Sequence, residues 1–403
     1  MRTPNAERQT PNVEVGAGRP SRSYLGPATA GLGVRRSSLK HTAARLSLAL
    51  LLSLPAFAAE PFFAKTDVFT RGTDGYNTYR IPGLVAAKSG ALLLFCDGRV
   101  NGAGDIGKMN LVMKRSRDGG NTWEKMQVLY SDEGPETKIG NVSAVADLAT
   151  GAVHAIFCKD VTQAFCLSTT DDGATFGPAV EITETFRQFP YAWKFFATGH
   201  AHGIQLASGR LAIPVFLSST PRSGPERAEK DFRVGTIFSD DHGAHWNPGG
   251  LVPEDKLMNE STIYECADGS IVINSRSIRR SARMVARSAD AGITWAPPTG
   301  DGALRAPSAC QASTLVTRDP EGKRVVLFSH SAGPGRSNLT VRLSYDEGRT
   351  WPLAKVVESS PAAYGDLAAA PDGTISIAYE NGAKGPYEKI SVARFNLEWL
   401  LAK

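Results

Sequence analysis

Short apolar runs recur along the chain from about residue 60 to its C-terminus, and Gly, Asp or Asn residues separate them. Examples are ALLLFCDGR, AVHAIFCKD, RLAIPVFL, SIVINSRS, KRVVLFSH and TISIAYE. Runs of this length between turn residues are typical of antiparallel β-strands. The pattern therefore predicts an all-β protein.

A turn motif, S/T-x-D-x-G-x-T-W/F, occurs five times between these runs. Its copies occupy residues 116–123, 169–176, 239–246, 288–295 and 344–351, and only the third replaces the Thr, with His245. We interpret each copy as a hairpin turn. Its Asp accepts backbone N–H groups, its Gly takes a positive φ and its aromatic residue packs underneath.

The spacing of this motif predicts the architecture. The four intervals between the motif aspartates, from Asp118 to Asp346, average about 57 residues each. Residues 60–403, 344 in number, hold about six such intervals. With about four strands per interval, the spacing predicts one domain, a six-bladed β-propeller of four-stranded antiparallel blades. One blade then lacks the motif.

The positive charge of the chain, formally +5, lies in its first segment. Residues 1–45 hold eight basic and two acidic side chains, and residues 46–59 form an uncharged apolar run ending in an Ala-x-Ala site. This order is typical of a secretory signal peptide, so we expect residues 1–59 to be removed and the protein to be periplasmic or secreted. Residues 35–40 resemble a twin-arginine motif, so the export route is open. The position of the true start codon is open as well.

Without this leader the net charge is −1, so no basic surplus points to a nucleic-acid partner. The apolar run of the leader is too short to span a bilayer comfortably, and no other segment reaches about 18 uninterrupted apolar residues, so we expect no membrane anchor in the mature chain. We find no H-E-x-x-H and no C-x-x-C motif, and we expect neither a metal nor another cofactor. Cys158 and Cys166 flank a predicted hairpin turn, so a local disulfide is an open alternative to buried thiols.

The motif copies follow Tyr79-Arg80-Ile81-Pro82, and this combination resembles the sialidases, in particular the bacterial exo-α-sialidases. The resemblance covers nearly all of the chain after about Phe62. It implies a six-bladed propeller with its site on the central axis. It also implies an enzyme that releases terminal sialic acids from glycoproteins, glycolipids or oligosaccharides. We expect this enzyme to be a monomer.

Sialic acid carries a carboxylate on its anomeric carbon, and guanidinium groups bind such an anion in a bidentate way. The resemblance implies that Arg80, Arg276 and Arg342 bind this carboxylate. They are far apart in the sequence, so only a radial fold would bring them together. Taken singly, each of them also fits a solvated strand arginine.

The same anion disfavours a carboxylate nucleophile, and sialidases use a tyrosine instead. The resemblance implies Tyr364 as the nucleophile and Glu260 as the base that it needs, since a free tyrosine has a pKa of about 10. Asp105 is implied as the acid that protonates the leaving oxygen. Asp97 competes for this role, although its place before Gly98 suits a turn.

Two further residues have supporting roles by the resemblance. Arg99 would position Asp105 or the substrate, and Glu380 would orient Arg80. The aromatic segment 184–203 either walls the pocket or packs between blades. Two alternatives to hydrolysis stay open: a trans-sialidase with the same site, and a non-catalytic propeller that binds sialic acid.

Overall fold

Antiparallel strands supply nearly all regular structure in this computed structural model, which describes residues 59–134, 136–222, 231–253, 257–278, 281–305, 307 and 309–402. The predicted leader, residues 1–59, lies outside the described residues except for Ala59. None of the helices within these ranges is long and apolar enough to cross a membrane.

The strands follow each other with short turns between them. They are β1 (Phe63–Thr70), β2 (Thr78–Ala86), β3 (Leu92–Arg99), β4 (Met109–Ser116), β5 (Gln127–Tyr130), β6 (Ile139–Ala146), β7 (Val153–Lys159), β8 (Gln163–Thr169), β9 (Val180–Glu181), β10 (Phe195–Thr198), β11 (Ile204–Gln205), β12 (Leu211–Ser218), β13 (Phe232–Ser239), β14 (Asn247–Leu251), β15 (Met258–Glu265), β16 (Ile271–Ser277), β17 (Ala282–Ser288), β18 (Thr299–Arg305), β19 (Ala312–Arg318), β20 (Arg324–Ser331), β21 (Ser337–Ser344), β22 (Leu353–Ala369), β23 (Ile375–Asn381) and β24 (Lys389–Phe395). Two short helices, α1 (Thr183–Arg187) and α2 (Leu397–Leu401), complete the set for the described chain.

Small antiparallel sheets build the molecule, which confirms the predicted all-β, propeller-like fold. In the part of the chain that the structure describes there are five sheets. Three have four strands each, in the orders β2-β3-β4-β5, β6-β7-β8-β9 and β15-β16-β17-β18. A fourth has the order β10-β12-β13-β14, with β11 paired to β12.

The fifth sheet differs from the prediction of separate four-stranded blades, because it has seven strands in the order β1-β24-β23-β22-β21-β20-β19. Its long strand β22 has 17 residues. The first half of β22 pairs with β21 as far as Pro361, and the second half pairs with β23 from Ala362 onward. One continuous strand therefore joins two groups of strands that the sequence pattern separates.

The two ends of the described chain meet in this sheet. Strand β1 pairs with β24, with Phe63 opposite Phe395. Phe63 also stacks on Trp399 of α2, with ring centres 4.7 Å apart. This pairing covers one edge of each of these two strands, which would otherwise expose unpaired backbone groups.

The repeated motif forms hairpin turns, as predicted. In the first copy Asp118 accepts hydrogen bonds from the backbone N–H of Thr122 at 2.9 Å and from its hydroxyl at 2.6 Å. In the third copy the ring of His245 lies 2.6 Å from Asp241 and so replaces the threonine hydroxyl. The motif glycines have positive φ, for example 72° at Gly348, and the aromatic side chain of Trp351 is buried.

One axial cavity shows how the sheets are arranged. It has a volume of about 340 Å³, and its lining includes residues of β2, β6, β11, β15, β19 and β22. Most of these residues are in the C-terminal part of their strand, such as Leu84, Ile263 and Leu367. The strands therefore surround a common axis and end at the same face of the molecule.

The cysteines at the β7–β8 hairpin do not form the disulfide that the sequence left open. All five cysteines are buried free thiols. Cys158 pairs in register with Ala164, and Cys166 pairs with Ile156. The two cysteines are thus diagonal neighbours, for which Cα atoms are about 7–8 Å apart, beyond the usual span of a disulfide.

The last motif turn generates a prediction about stability. A Cβ on Gly348 would overlap the hydroxyl oxygen of Tyr264, in addition to the strain of a positive φ. We expect Gly348→Ala to lower the free energy of unfolding by about 2–5 kcal/mol, which is the sum of the backbone strain and the overpacking cost. Urea denaturation measures this change.

Gly373→Ala is the matched control, since Gly373 has a φ of 84° but no atom within 4 Å of the position that a Cβ would take. It isolates the backbone term, about 1–2 kcal/mol. Equal losses for the two variants would contradict the predicted contact with Tyr264.

Candidate active site

A polar pocket of about 210 Å³ lies at the opposite ends of the inner strands from the axial cavity. Five of the predicted site residues line it: Arg80, Asp105, Glu260, Arg276 and Tyr364. They come from β2, the β3–β4 loop, β15, β16 and β22. The fold thus gathers side chains from the second strand of the described chain to its third-last strand.

Tyr364 and Glu260 form a hydrogen-bonded pair at this pocket. The Tyr364 hydroxyl donates to Oε1 of Glu260, and Nη1 of Arg276 donates to Oε2 of Glu260 at 2.6 Å and to the Tyr364 hydroxyl at 3.2 Å. Tyr364 is 5% exposed and Glu260 7%. The tyrosine therefore lies against a carboxylate that already accepts its hydrogen bond.

The charges of this group keep the phenol protonated and the carboxyl ionised. Burial raises the pKa of Tyr364 well above its ordinary value, and the Glu260 carboxylate raises it further. Burial alone would raise the pKa of Glu260, but Arg276, His200 and the Tyr364 hydroxyl lower it to about 2. Glu260 is thus ready to accept a proton, although Arg276 makes it a weak base.

Arg80 is held by Glu380, as its supporting role requires. Nε of Arg80 donates to Oε1 of Glu380 at 3.0 Å, and Glu380 is fully buried. The same carboxylate accepts the backbone N–H groups of Ile81 at 2.8 Å and of Tyr364 at 3.3 Å. Ile81 has a φ of 59°, a strained value for a β-branched residue, so the hydrogen bond to Glu380 stabilises a costly conformation.

Asp105 is the exposed carboxyl of the pocket, with 62% of its side chain accessible. Its Oδ1 accepts from Nη1 of Arg99 at 2.9 Å and lies 3.7 Å from Nη1 of Arg80. Burial would raise the pKa of Asp105, but Arg99, Lys138 and Arg80 hold it below its ordinary value. Asp105 is therefore ionised while the pocket holds no substrate anion.

Asp97, the competing candidate, does not line the pocket. It is fully buried, accepts from Nη2 of Arg99 at 3.1 Å and from the backbone N–H of Asn141 at 3.1 Å. Arg99 lies between the two carboxylates and bonds to both. Asp97 thus fixes Arg99, and Arg99 fixes Asp105.

The prediction that Arg342 belongs to the carboxylate-binding group needs correction, because Arg342 is not among the residues that line the pocket. It lies in β21 two residues before the motif turn at Ser344, and its Nε donates to Nε2 of His330 at 3.1 Å. The motif turns are at the far ends of their strands from the pocket. An arginine beside such a turn is about 20 Å along the strand from a residue six positions earlier.

Arg336 occupies the place expected for Arg342. It precedes β21 in a turn, with a φ of 61°, and it lines the pocket. Its Nη1 donates to the Tyr387 hydroxyl at 2.7 Å, and its guanidinium lies 5.3 Å from the centre of the Tyr364 ring. The signal in the sequence is the glycine-rich stretch AGPGRSN, which marks a turn at the strand end that faces the axis.

Lys138 and His200 are buried titratable residues of the pocket that the sequence does not single out, because no motif marks them. Lys138 precedes β6, and burial lowers its pKa to about 8. His200 follows β10, and its Nε2 lies 3.8 Å from Oε1 of Glu260. Both positions depend on how separate strands converge, which local pattern does not reveal.

The aromatic segment 184–203 fulfils both of its predicted roles in different residues. Phe186 and Phe196 stack in the core with ring centres 3.9 Å apart, and Trp193 packs edge-on against Phe196. Phe195 and His200 line the pocket. The segment therefore contributes side chains both to the core between the sheets and to the wall of the pocket.

The arrangement offers anion binding and two kinds of proton transfer. The guanidinium groups of Arg80, Arg276 and Arg336 converge on one pocket, which suits a carboxylate ligand. Tyr364 with Glu260 provides a nucleophile with a base, and Asp105 is a separate, accessible carboxyl. Over the described ranges no three His, Cys, Asp or Glu side chains are grouped to hold a metal ion.

Comparison with known proteins gives one family and several relatives. The BNR repeat-like domain family matches residues 90–377. The chain is 31% identical to a sialidase of Micromonospora viridifaciens over 85% of this chain and 55% of the relative. It is 27% identical to an exo-alpha-sialidase of Aspergillus fumigatus over 81% of this chain and 86% of the relative.

Solved structures show the same fold. The Hadza microbial sialidase superposes with a TM-score of 0.73 at 25% identity, over 84% of this chain and 69% of that chain. An intramolecular trans-sialidase from Ruminococcus gnavus gives 0.69 at 18% identity, over 84% and 98%. The chain spans 55% of the length of the Micromonospora relative and 61% of that of a Bacteroides fragilis sialidase.

The buried pair of Arg80 and Glu380 leads to a prediction. Glu380→Gln leaves the buried guanidinium without its counter-charge, so we expect the free energy of unfolding to fall by about 3–5 kcal/mol. Chemical denaturation of the purified protein measures it. Glu358→Gln is the control, because it removes the more accessible ion pair with Lys65 and should cost less than about 1 kcal/mol. A loss as small for Glu380 as for Glu358 would be inconsistent with the proposed support of Arg80.

Proposed function

The chain belongs to the family of BNR repeat-like domains, and from this premise we propose that it is a retaining exo-α-sialidase. Its substrates would be terminal sialic acids on glycoproteins, glycolipids or oligosaccharides. The observation that carries the proposal is the hydrogen-bonded pair of Tyr364 and Glu260 beside Arg276. A tyrosine with its own base suits attack on a carbon that bears a carboxylate, where an anionic nucleophile is repelled.

The same proposal includes the number of blades. Six inner strands line the axial cavity, and the long strand β22 takes part in two groups of four strands. We therefore count β19 to β21 with the first half of β22 as one blade, and the second half of β22 with β23, β24 and β1 as another. The ring then has six blades over residues 60–403, after a leader of residues 1–59.

Substrate binding would begin at the guanidinium groups of Arg80, Arg276 and Arg336, which bind the carboxylate. Arg276 donates to Glu260 in the free site, and the substrate carboxylate would compete for that donor. Each hydrogen bond that Arg276 shifts to the substrate raises the proton affinity of Glu260. Binding of the substrate thus makes Glu260 a better base when it is needed.

In the first step, Tyr364 attacks the anomeric carbon while its phenolic proton passes to Glu260. The bond to the leaving oxygen breaks, and that oxygen takes a proton from Asp105. The substrate carboxylate offsets the charge of Arg80, which lies 3.7 Å from Asp105, so the pKa of Asp105 rises when substrate binds. Asp105 then carries the proton that it lacks in the free pocket.

In the second step, Asp105 takes a proton from water, and the water oxygen attacks the anomeric carbon. The bond to Tyr364 breaks, and the phenolate recovers its proton from Glu260. Two displacements at one carbon retain its configuration. We also propose that the enzyme is a monomer exported to the periplasm or beyond the cell, where sialylated glycans of other cells are accessible.

Tyr364→Phe is the direct test of this mechanism. It removes the nucleophile but little volume, so we expect kcat on a fluorogenic aryl sialoside to fall by about 10³-fold or more. Tyr387→Phe is the matched control, since Tyr387 contacts Arg336 and Arg80 but is not the proposed nucleophile. Unchanged turnover in Tyr364→Phe would refute the mechanism, and no turnover by the wild type would favour a sialic-acid-binding propeller.

The two rival arginines give a second test of substrate binding. Arg336→Ala removes a charged donor from the pocket, and we expect KM for the sialoside to rise by about 10–100-fold. Arg342→Ala changes a residue outside the pocket and should alter KM by less than about twofold. The same steady-state assay compares them. A larger effect at Arg342 than at Arg336 would restore the prediction from the sequence.

A further inference from the structure

His200 is a buried residue of the pocket with no part in the mechanism above. It is 4% exposed and has a φ of 60°, in the left-handed region that is uncommon for residues other than glycine. Such strain persists only where the surrounding structure fixes it, and it clusters at functional sites. The conformation directs the imidazole towards Glu260 and Tyr364.

The contact with the base is close. Nε2 of His200 lies 3.8 Å from Oε1 of Glu260, the same oxygen that accepts the Tyr364 hydroxyl. The His200 and Tyr364 rings have centres 6.0 Å apart. Among the described residues, Nδ1 of His200 is buried without a hydrogen-bond partner. Glu260 therefore has the phenol on one side and an imidazole on the other.

The backbone of His200 is tied to the strand that carries Tyr364. Nε2 of Gln311 donates to the His200 carbonyl at 2.8 Å, and Oε1 of Gln311 accepts the N–H of Gly365 at 3.1 Å. Two residues further on, Nδ1 of His202 lies 2.8 Å from the buried carboxylate of Asp366. These links hold His200, Glu260 and Tyr364 in one frame.

We propose that Glu260 and His200 together are the base for Tyr364: Oε1 of Glu260 receives the phenolic proton and passes it to Nε2 of His200. This inference rests on the proposed function and adds a third member to its proton path. The separation of 3.8 Å means that the two atoms are not hydrogen-bonded in the free site. The gap closes when the substrate carboxylate draws Arg276 away from Glu260, in the way that catalytic hydrogen bonds tighten in complexes.

Charge supports this direction of transfer. Burial lowers the pKa of His200 to about 4, with Glu260 and Asp105 raising it and Lys138 and Arg276 lowering it. His200 is therefore neutral near pH 6 and has a vacant nitrogen. Arg276 lowers the pKa of Glu260, so a second acceptor beside Oε1 compensates for the weakened carboxylate. A substrate carboxylate that offsets Arg276 raises the proton affinity of both groups.

The steps balance without a further reagent. The O–H bond of Tyr364 breaks as its oxygen bonds to the anomeric carbon, and the proton resides on His200 as imidazolium while the intermediate lasts. When water displaces the tyrosine, the proton returns through Glu260 to the phenolate. Asp105 supplies and recovers the separate proton of the leaving group and of water.

A substrate with fluoride as its leaving group isolates this path, because fluoride leaves without a proton from Asp105. The probe is a 2,3-difluoro sialic acid, and the rate of adduct formation on Tyr364 is followed by mass spectrometry. His200→Gln keeps an amide nitrogen near the position of Nε2 but cannot accept the proton. We expect adduct formation to slow by about tenfold or more.

The pH profile gives a second readout. In the wild type, adduct formation should fall as the pH drops through about 4, where His200 becomes protonated beforehand. In His200→Gln the imidazole that titrates there is gone, so this acid limb should be lost. His200→Asn, which tolerates a positive φ, should behave like His200→Gln. His330→Gln is the control, since His330 is equally buried but bonds to Arg342 outside the pocket.

Nitrogen-15 NMR of the histidine rings locates the proton directly. We expect the His200 ring to be neutral in the free protein at pH 6 and to be imidazolium in the trapped adduct. A neutral ring in the adduct, or wild-type rates and pH profile in both His200 variants, would overturn the relay and leave His200 as a packing residue. A wild type that forms no adduct and hydrolyses no sialoside would instead overturn the proposed function, and the relay with it.

Discussion

The buried carboxylate of Glu380 is the contact on which the geometry of the site depends. It bonds to the guanidinium of Arg80 and to the backbone N–H groups of Ile81 and Tyr364, so it joins two inner strands from opposite ends of the chain. A fully buried charge is tolerated only when it is paired and hydrogen-bonded. The buried Glu380 carboxylate needs these hydrogen bonds, and they hold the Arg80 side chain and the Tyr364 backbone in place at the same time.

Around this contact, two of the three pocket arginines are paired with buried carboxylates. Arg80 is offset by Glu380 and Arg276 by Glu260, while Arg336 donates to a neutral hydroxyl. Of these three arginines, an entering carboxylate therefore meets two that already bond to carboxylates and one, Arg336, that bonds to a hydroxyl. Arg276 depresses the pKa of Glu260 and Arg80 that of Asp105, so an anion that binds these arginines would raise the proton affinity of both the proposed base and the proposed acid.

The sequence predicted the features that local pattern determines. Apolar runs predict the strands because the side chains of the inner strands are buried. The motif predicts the turns because Asp118 and its equivalents accept hydrogen bonds from the backbone N–H groups of their own turn. The prediction from the sequence was wrong where it depended on which end of a strand faces the axis. Arg336 and Arg342 are six residues apart around the same strand, and only the three-dimensional direction of β21 shows which of them is near the axis. The length of β22 and the approach of His200 to Glu260 likewise depend on how strands from different blades converge.

The proposed role of Tyr364 as the nucleophile accounts for the buried acceptors next to its hydroxyl. Burial raises the pKa of Tyr364 far above that of a free phenol, so the neutral form is stable and attack requires removal of its proton as the new bond forms. A single carboxylate weakened by Arg276 is a poor acceptor for that proton. The strained backbone of His200 and its links through Gln311 to the strand of Tyr364 place a second acceptor beside the carboxylate. The proposed sharing of the Tyr364 proton by the imidazole gives this strained backbone a function.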